Sequence, residues 1–132
     1  MTLSGKCLCG ASSITIDAPR PDAQIKCHCT DCQLTSGTAF SSNALFKELA
    51  VDIKGDIGTF STKGASGNPV TRTFCKTCGT PFAHNSAAFG DSMAVQTGPL
   101  ALRDVPYAAE LFVKDRWSGE KAVEGADQKE TV

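Results

Sequence analysis

The chain is organised around the segment CHCTDC at residues 27–32, in which three cysteines lie within six positions. Two further groups carry the other four of its seven cysteines: CLCG at residues 7–10 and CKTCG at residues 75–79. Ordinary use of cysteine in a core would scatter the thiols, whereas spacings of one and two residues allow neighbouring sulfurs to converge on one ion. The pattern therefore predicts metal binding, with Zn²⁺ as the expected ion.

The size of the chain and its lack of long apolar runs suggest one small domain inside the cell. It has 132 residues, of which 41% are hydrophobic, enough for a modest core. No stretch approaches the roughly 18 apolar residues of a membrane span, and no apolar signal region precedes Cys7. We therefore expect a cytoplasmic protein, in which cysteines stay reduced and serve as metal ligands or catalysts more often than as disulfides.

The charge balance argues against a polyanionic partner. Thirteen Lys and Arg residues face 14 Asp and Glu residues, which gives a formal net charge of -1. Cysteine thiolates bound to zinc would make the chain more negative still. We therefore expect neither a nucleic acid nor a membrane as partner.

Short apolar alternations predict a mainly β protein with antiparallel sheets and little helix. Alternating segments begin near Ile14, Val51, Val70 and Met93, and glycines and prolines interrupt the chain between them. The only helical signal is one turn over residues 31–36, stopped by a glycine. We predict one domain over residues 1–117 and a polar, loosely held C-terminal tail over residues 118–132.

Spacing alone does not decide which cysteine groups share an ion. In one arrangement the first and last cysteine groups, at residues 7–9 and 75–78, form a closed site of four thiolates, and residues 27–32 form a local site of three. A zinc ion with three protein ligands keeps a position for water or substrate, which is typical of a catalytic site. The histidine within the triplet, His28, would point away from Cys27 and Cys29 on an extended segment, which favours a packed or hydrogen-bonded side chain over an acid or base.

The motifs together resemble the glutathione-dependent formaldehyde-activating enzyme family, also called the centromere protein V type. The resemblance lies in GKCLCG at residues 5–10, CHCTDC at 27–32 followed by Gly37, FCKTCG at 74–79 and TGPL at 97–100. It covers roughly residues 5–117, and the order and spacing of the cysteines are its most specific part. It implies a β-rich, tent-like fold.

The same resemblance implies two zinc ions per chain with different roles. It makes the structural ligands Cys7, Cys9, Cys75 and Cys78, and the catalytic ligands Cys27, Cys29 and Cys32. The family's named reaction joins formaldehyde and glutathione into S-hydroxymethylglutathione, formally a carbon-sulfur lyase reaction in reverse. Glutathione is thus the expected small-molecule partner.

Two other classes of function use the same cysteines. An open zinc site could serve a glutathione-binding carrier or sensor without turnover, which kinetic acceleration would distinguish from an enzyme. A purely structural zinc module could present a surface to protein or nucleic acid, although the negative charge disfavours the latter.

Overall fold

The computed structural model describes residues 2–132 and confirms a mainly β fold with little helix. The chain divides into two compact units, each made of two segments. Unit one comprises the segment ending at Arg20 together with Leu45–Ala101, and unit two comprises Pro21–Ala44 and Leu102–Val132. The prediction of one domain over residues 1–117 stays a prediction.

Unit one contains a three-stranded antiparallel sheet and a set of sequential hairpins. The strands of the small sheet are β1 (Leu3–Lys6), β2 (Ser12–Ile16) and β5 (Val51–Gly55), with β2 in the middle. The hairpins join β6 (Ile57–Lys63), β7 (Pro69–Cys75), β8 (Pro81–Ser86) and β9 (Ser92–Gln96) in that order. The hairpin loop at residues 64–68 connects β6 to β7.

Alternation along β2 explains how the small sheet faces the core of unit one. Ile14 and Ile16 are buried, while Thr15 between them is exposed. Successive strand residues point to opposite faces, so the two isoleucines share one face with buried Ser12. The period-two pattern predicted from the sequence is therefore present in β2, where it buries one face of the strand.

Unit two has strands in the order β11-β10-β3-β4 and the α-helix. The strands are β3 (Gln24–Cys27), β4 (Ser41–Lys47, whose last three residues belong to unit one), β10 (Tyr107–Leu111) and β11 (Asp127–Gln128). β10 runs parallel to both β3 and β11. Helix α1, Thr30–Ser36, ends at Gly37 in the left-handed conformation, which confirms the predicted helical turn.

Three short 3-10 helices complete the secondary structure of residues 2–132: Glu48–Ala50, Ala87–Phe89 and Val113–Asp115. No helix in this range is long and apolar enough to cross a membrane.

The C-terminal residues differ from the loosely held tail that we predicted. Strand β11 pairs with β10, and the backbone N–H of Lys129 donates to the carbonyl of Glu110 at 2.9 Å. The polar composition of this segment misled the prediction because its hydrogen bonds go to a strand edge and to one buried carboxylate. None of the residues 118–132 is itself buried.

The packing of β1 yields a test of unit one. A Cβ atom on Gly5 would overlap the backbone carbonyl of Pro99. Gly5→Ala should therefore lower the free energy of unfolding by roughly 1–3 kcal/mol, the usual cost of overpacking. Gly98→Ala is the control, because no atom lies within 4 Å of a Cβ built there. Urea unfolding of the zinc-loaded proteins measures both, and equal stability of the two variants would contradict this packing.

Candidate metal centres

Four cysteine sulfurs from distant parts of the chain meet in unit one. The Sγ atoms of Cys7, Cys9, Cys75 and Cys78 all lie within 4.8 Å of one another. Sγ of Cys9 is 3.6 Å from that of Cys7 and 3.7 Å from that of Cys75. Zn–S bonds of about 2.3 Å in a tetrahedron place sulfurs roughly 3.8 Å apart. The four residues thus fit a closed zinc site.

Two turns of similar geometry supply these sulfurs. In the first turn Gly10 donates its N–H to the carbonyl of Cys7 at 3.2 Å, and in the second Gly79 donates to Cys75 at 2.8 Å. Both glycines have positive φ, 81° and 80°, a backbone conformation that residues other than glycine rarely adopt. Each turn also aims a backbone N–H at sulfur, from Ser12 to Cys7 and from Cys78 to Cys75.

The hydroxyl of Thr80 connects the two turns. Its Oγ1 accepts a hydrogen bond from the N–H of Leu8 at 3.1 Å and lies 3.2 Å from Sγ of Cys78. The hydroxyl, joined by the backbone of Thr80 and then that of Cys9, lowers the pKa of Cys78 to about 5. The side chain of Thr80 therefore links the first turn to the second and favours the thiolate form of Cys78 that a metal requires.

The environment of this cluster disfavours ionisation of Cys9. A backbone hydrogen bond from Ala11 lowers the pKa of Cys9, but desolvation and the neighbouring cysteine sulfurs outweigh it and raise the pKa to about 12. A divalent ion held by the four sulfurs would stabilise their thiolate forms.

A second cluster, the triplet of Cys27, Cys29 and Cys32, lies in unit two. Its three Sγ atoms also lie within 4.8 Å of one another. Cys27 ends β3, Cys29 is the N-cap of α1, and Cys32 is in the first turn of that helix. The N–H of Cys32 donates to Sγ of Cys29 at 3.3 Å. A strand end followed at once by a helix start thus brings three sulfurs together within six residues.

The triplet is mostly enclosed, and its environment disfavours three free thiolates. Cys27 and Cys32 are 8% and 2% exposed, whereas Cys29 is only partly buried. Hydrogen bonding with the sulfurs of Cys29 and Cys32, and then burial, raise the pKa of Cys27. Leu111, at the end of β10, and Phe112, the next residue, pack against the triplet. The donor set suits zinc, and among residues 2–132 no fourth His, Cys, Asp or Glu joins it.

His28 is fully buried and does not point toward a ligand position. Its Nε2 lies 2.7 Å from Oε1 of Glu110, which is also fully buried. Burial raises the pKa of Glu110, but donors from Gln128, Val123 and His28, together with nearby Arg116, outweigh it and lower the pKa to about 2. An ionised carboxylate only accepts, so Nε2 of His28 carries the proton. The interpretation of His28 as a hydrogen-bonded residue is confirmed.

Two supporting residues were not identified from the sequence. Thr80 follows the second metal turn without any distinctive motif. Glu110 was visible as one carboxylate within an otherwise apolar run at residues 109–113, and such a residue indicates a buried partner. Because its partners lie far along the chain, the sequence did not reveal them.

Two thiolate clusters on a mainly β scaffold define a candidate zinc protein with one closed and one three-ligand site. A family model described as glutathione-dependent formaldehyde-activating enzyme matches residues 2–115. The chain therefore belongs to the glutathione-dependent formaldehyde-activating enzyme family.

One solved structure supports the fold. The crystal structure of a Rhodobacter sphaeroides protein is similar, with a TM-score of 0.63 and 21% sequence identity. The match covers 80% of this chain and 99% of that one. No curated protein matches the chain.

The role of Thr80 can be tested on the closed cluster. Thr80→Val removes the hydroxyl beside Cys78, so we expect zinc affinity at this site to fall by about 10-fold to 100-fold. Protons compete with zinc for sulfur, and loss of the group that lowers the pKa of Cys78 should raise the pH at which half of this zinc is released. Competition with a chromophoric chelator measures both. Thr62→Val, on an exposed position of β6, should change neither, and equal behaviour of the two variants would contradict the role.

Proposed function

We propose that the chain joins formaldehyde to a glutathione-type thiol at a zinc ion held by Cys27, Cys29 and Cys32. The observation that carries the proposal is the three-sulfur donor set of the triplet, which leaves one position of a tetrahedral ion for a ligand from outside the chain. Membership of a family described as glutathione-dependent and formaldehyde-activating supplies the substrate class.

The chemistry requires a sulfur nucleophile at a defined place. A zinc ion held by Cys27, Cys29 and Cys32 would supply a position at which a substrate sulfur could bind as thiolate at neutral pH. Sulfur attacks the carbonyl carbon of formaldehyde, a carbon-sulfur bond forms, and the proton lost by the thiol ends on the former carbonyl oxygen. The product is S-hydroxymethylglutathione, and no oxidant or reductant is needed. The reaction is formally that of a carbon-sulfur lyase in reverse.

The residues of the chain contribute position and exclusion of water. Cys29 is the most accessible of the three sulfurs, whereas Cys27 and Cys32 are buried against Phe112. A substrate therefore meets the triplet on the side of Cys29, with the apolar ring behind it. Bringing two reactants together in one orientation accounts for part of the rate gain.

We further propose that the closed cluster of unit one has a structural role. Its four ligands come from residues 7–9 and 75–78, so one ion ties together segments separated by most of unit one. Metal bound only by the folded chain adds its binding energy to folding. We thus assign one zinc ion to stabilising the fold and the other to binding substrate.

Two serine variants test this division of roles. Cys29→Ser should abolish acceleration of S-hydroxymethylglutathione formation and leave the fold intact, whereas Cys78→Ser should lower the thermal unfolding midpoint strongly. Circular dichroism follows unfolding, and magnetisation-transfer NMR follows exchange between formaldehyde and its glutathione adduct. Thr62→Val serves as the control for both measurements.

Three results would contradict the proposal in different ways. Equal loss of folding in the two serine variants would contradict the division of roles. Absence of acceleration by the native protein, with glutathione still bound, would replace the enzyme with a carrier or sensor. Unchanged acceleration in Cys29→Ser would remove the triplet from the reaction.

A further inference from the structure

The C-terminal segment, residues 117–132, is bonded to the strand that packs against the triplet. The N–H of Lys129 donates to the carbonyl of Glu110 at 2.9 Å, and the N–H of Val113 donates to the carbonyl of Lys129 at 3.0 Å. These bonds extend the parallel pairing of β11 with β10. The segment lies beyond residue 115, where the match to the family ends.

A second connection joins the same segment to β3, the strand that ends at Cys27. Glu120 forms an ion pair with Nζ of Lys26 at 3.1 Å. The ammonium group of Lys26 is largely buried and lies 4.1 Å from the ring centroid of Phe40. Detachment of the C-terminal segment would leave this buried ammonium group without its counter-ion, which costs more free energy than the loss of an exposed ion pair.

Glu110 connects the C-terminal segment to His28, which lies between two cysteines of the triplet. Its Oε2 accepts hydrogen bonds from the backbone N–H of Val123 and from Nε2 of Gln128, both at 2.7 Å. Its Oε1 accepts from Nε2 of His28, also at 2.7 Å. One fully buried carboxylate therefore joins Val123 and Gln128 of the C-terminal segment to His28.

His28 transmits this connection to the metal ligands through the backbone. It lies between Cys27 and Cys29, and its own N–H donates to the carbonyl of Leu111 at 3.0 Å. Its carbonyl accepts from the side chain of Gln33 at 2.9 Å. Side chain, N–H and carbonyl are all bonded, so displacement of the ring moves the backbone that carries two of the three sulfurs.

We propose that the C-terminal segment positions the triplet for metal binding, through Gln128, Glu110 and His28. Gln128 is a positioning residue, since it acts through Glu110 and touches no sulfur. The inference rests on the proposed function, because it takes the triplet as a metal site. It adds to that function a part of the chain outside the family match.

The experiment compares two neighbouring residues of β11 in the full chain. Gln128→Ala removes a donor to Glu110, and Asp127→Ala is the matched control on the same exposed strand. Zinc-loaded, anaerobic protein is mixed with a chromophoric chelator, and the release of each ion is followed in time. We expect zinc from the triplet to leave about tenfold faster from Gln128→Ala, with release from the closed cluster unchanged. Asp127→Ala should release both ions at native rates.

A second variant and a spectroscopic signature separate positioning from general stability. The side-chain oxygen of Gln128 also accepts a hydrogen bond from Arg116, and Gln128→Glu keeps this acceptor while it removes the donor to Glu110. We expect Gln128→Glu to release zinc from the triplet at least as fast as Gln128→Ala, whereas a native rate would overturn the role of the donor. In cobalt-loaded protein, Gln128→Ala should shift the thiolate-to-cobalt absorption of the triplet and leave that of the closed cluster in place. A variant that is merely less stable would affect both clusters.

The outcomes distinguish this inference from the proposed function. Two zinc ions in the native protein, with native release from Gln128→Ala, would overturn the positioning role and leave the proposed function standing. Equal acceleration at both clusters would also overturn it, as a general loss of stability. One zinc ion in the native protein, held by the closed cluster, would overturn both.

Discussion

Repulsion among closely spaced sulfurs is the constraint on which the rest of the molecule depends. Each of the two cysteine clusters places its Sγ atoms within 4.8 Å of one another, and metal ligation requires each of these sulfurs to be a thiolate. Although a backbone hydrogen bond from Ala11 lowers the pKa of Cys9, desolvation and then the neighbouring sulfurs raise it. The pKa of Cys27 is raised by hydrogen bonds with the sulfurs of Cys29 and Cys32 and then by burial. The turns, the N–H groups aimed at sulfur and the hydroxyl of Thr80 reduce this cost. A bound divalent ion would offset the rest of the free-energy cost of ionising the thiols.

The two clusters are built from different parts of the chain. The closed cluster uses residues far apart in sequence and offers four ligands to an ion, whereas the triplet offers three ligands from six consecutive residues. Phe112 packs against the triplet, and the side chain of His28, between two of its cysteines, bonds to Glu110. We propose that this difference in ligand number underlies the division between a structural site and a site for substrate sulfur.

Local patterns in the sequence predicted the features that depend on neighbouring residues. The alternation of Ile14 and Ile16, the helical turn ending at Gly37 and the local convergence of the three cysteines at residues 27–32 follow from spacing. The joining of the first cysteine group with the last was implied only by the family resemblance. The partners of Glu110 and Thr80 could not be predicted because they join segments through single hydrogen bonds that leave no periodic pattern. The polar C-terminal residues were predicted to be loose, although their polarity serves a buried carboxylate.

The assignment of two metal centres is tested by the zinc content of anaerobically purified protein, measured by elemental analysis before and after excess glutathione. We predict close to two ions per chain, of which glutathione makes one labile because its sulfur competes with those of Cys27, Cys29 and Cys32. A content of one ion that glutathione leaves unchanged would contradict this assignment, since the triplet would then neither hold a metal nor bind a thiol through one.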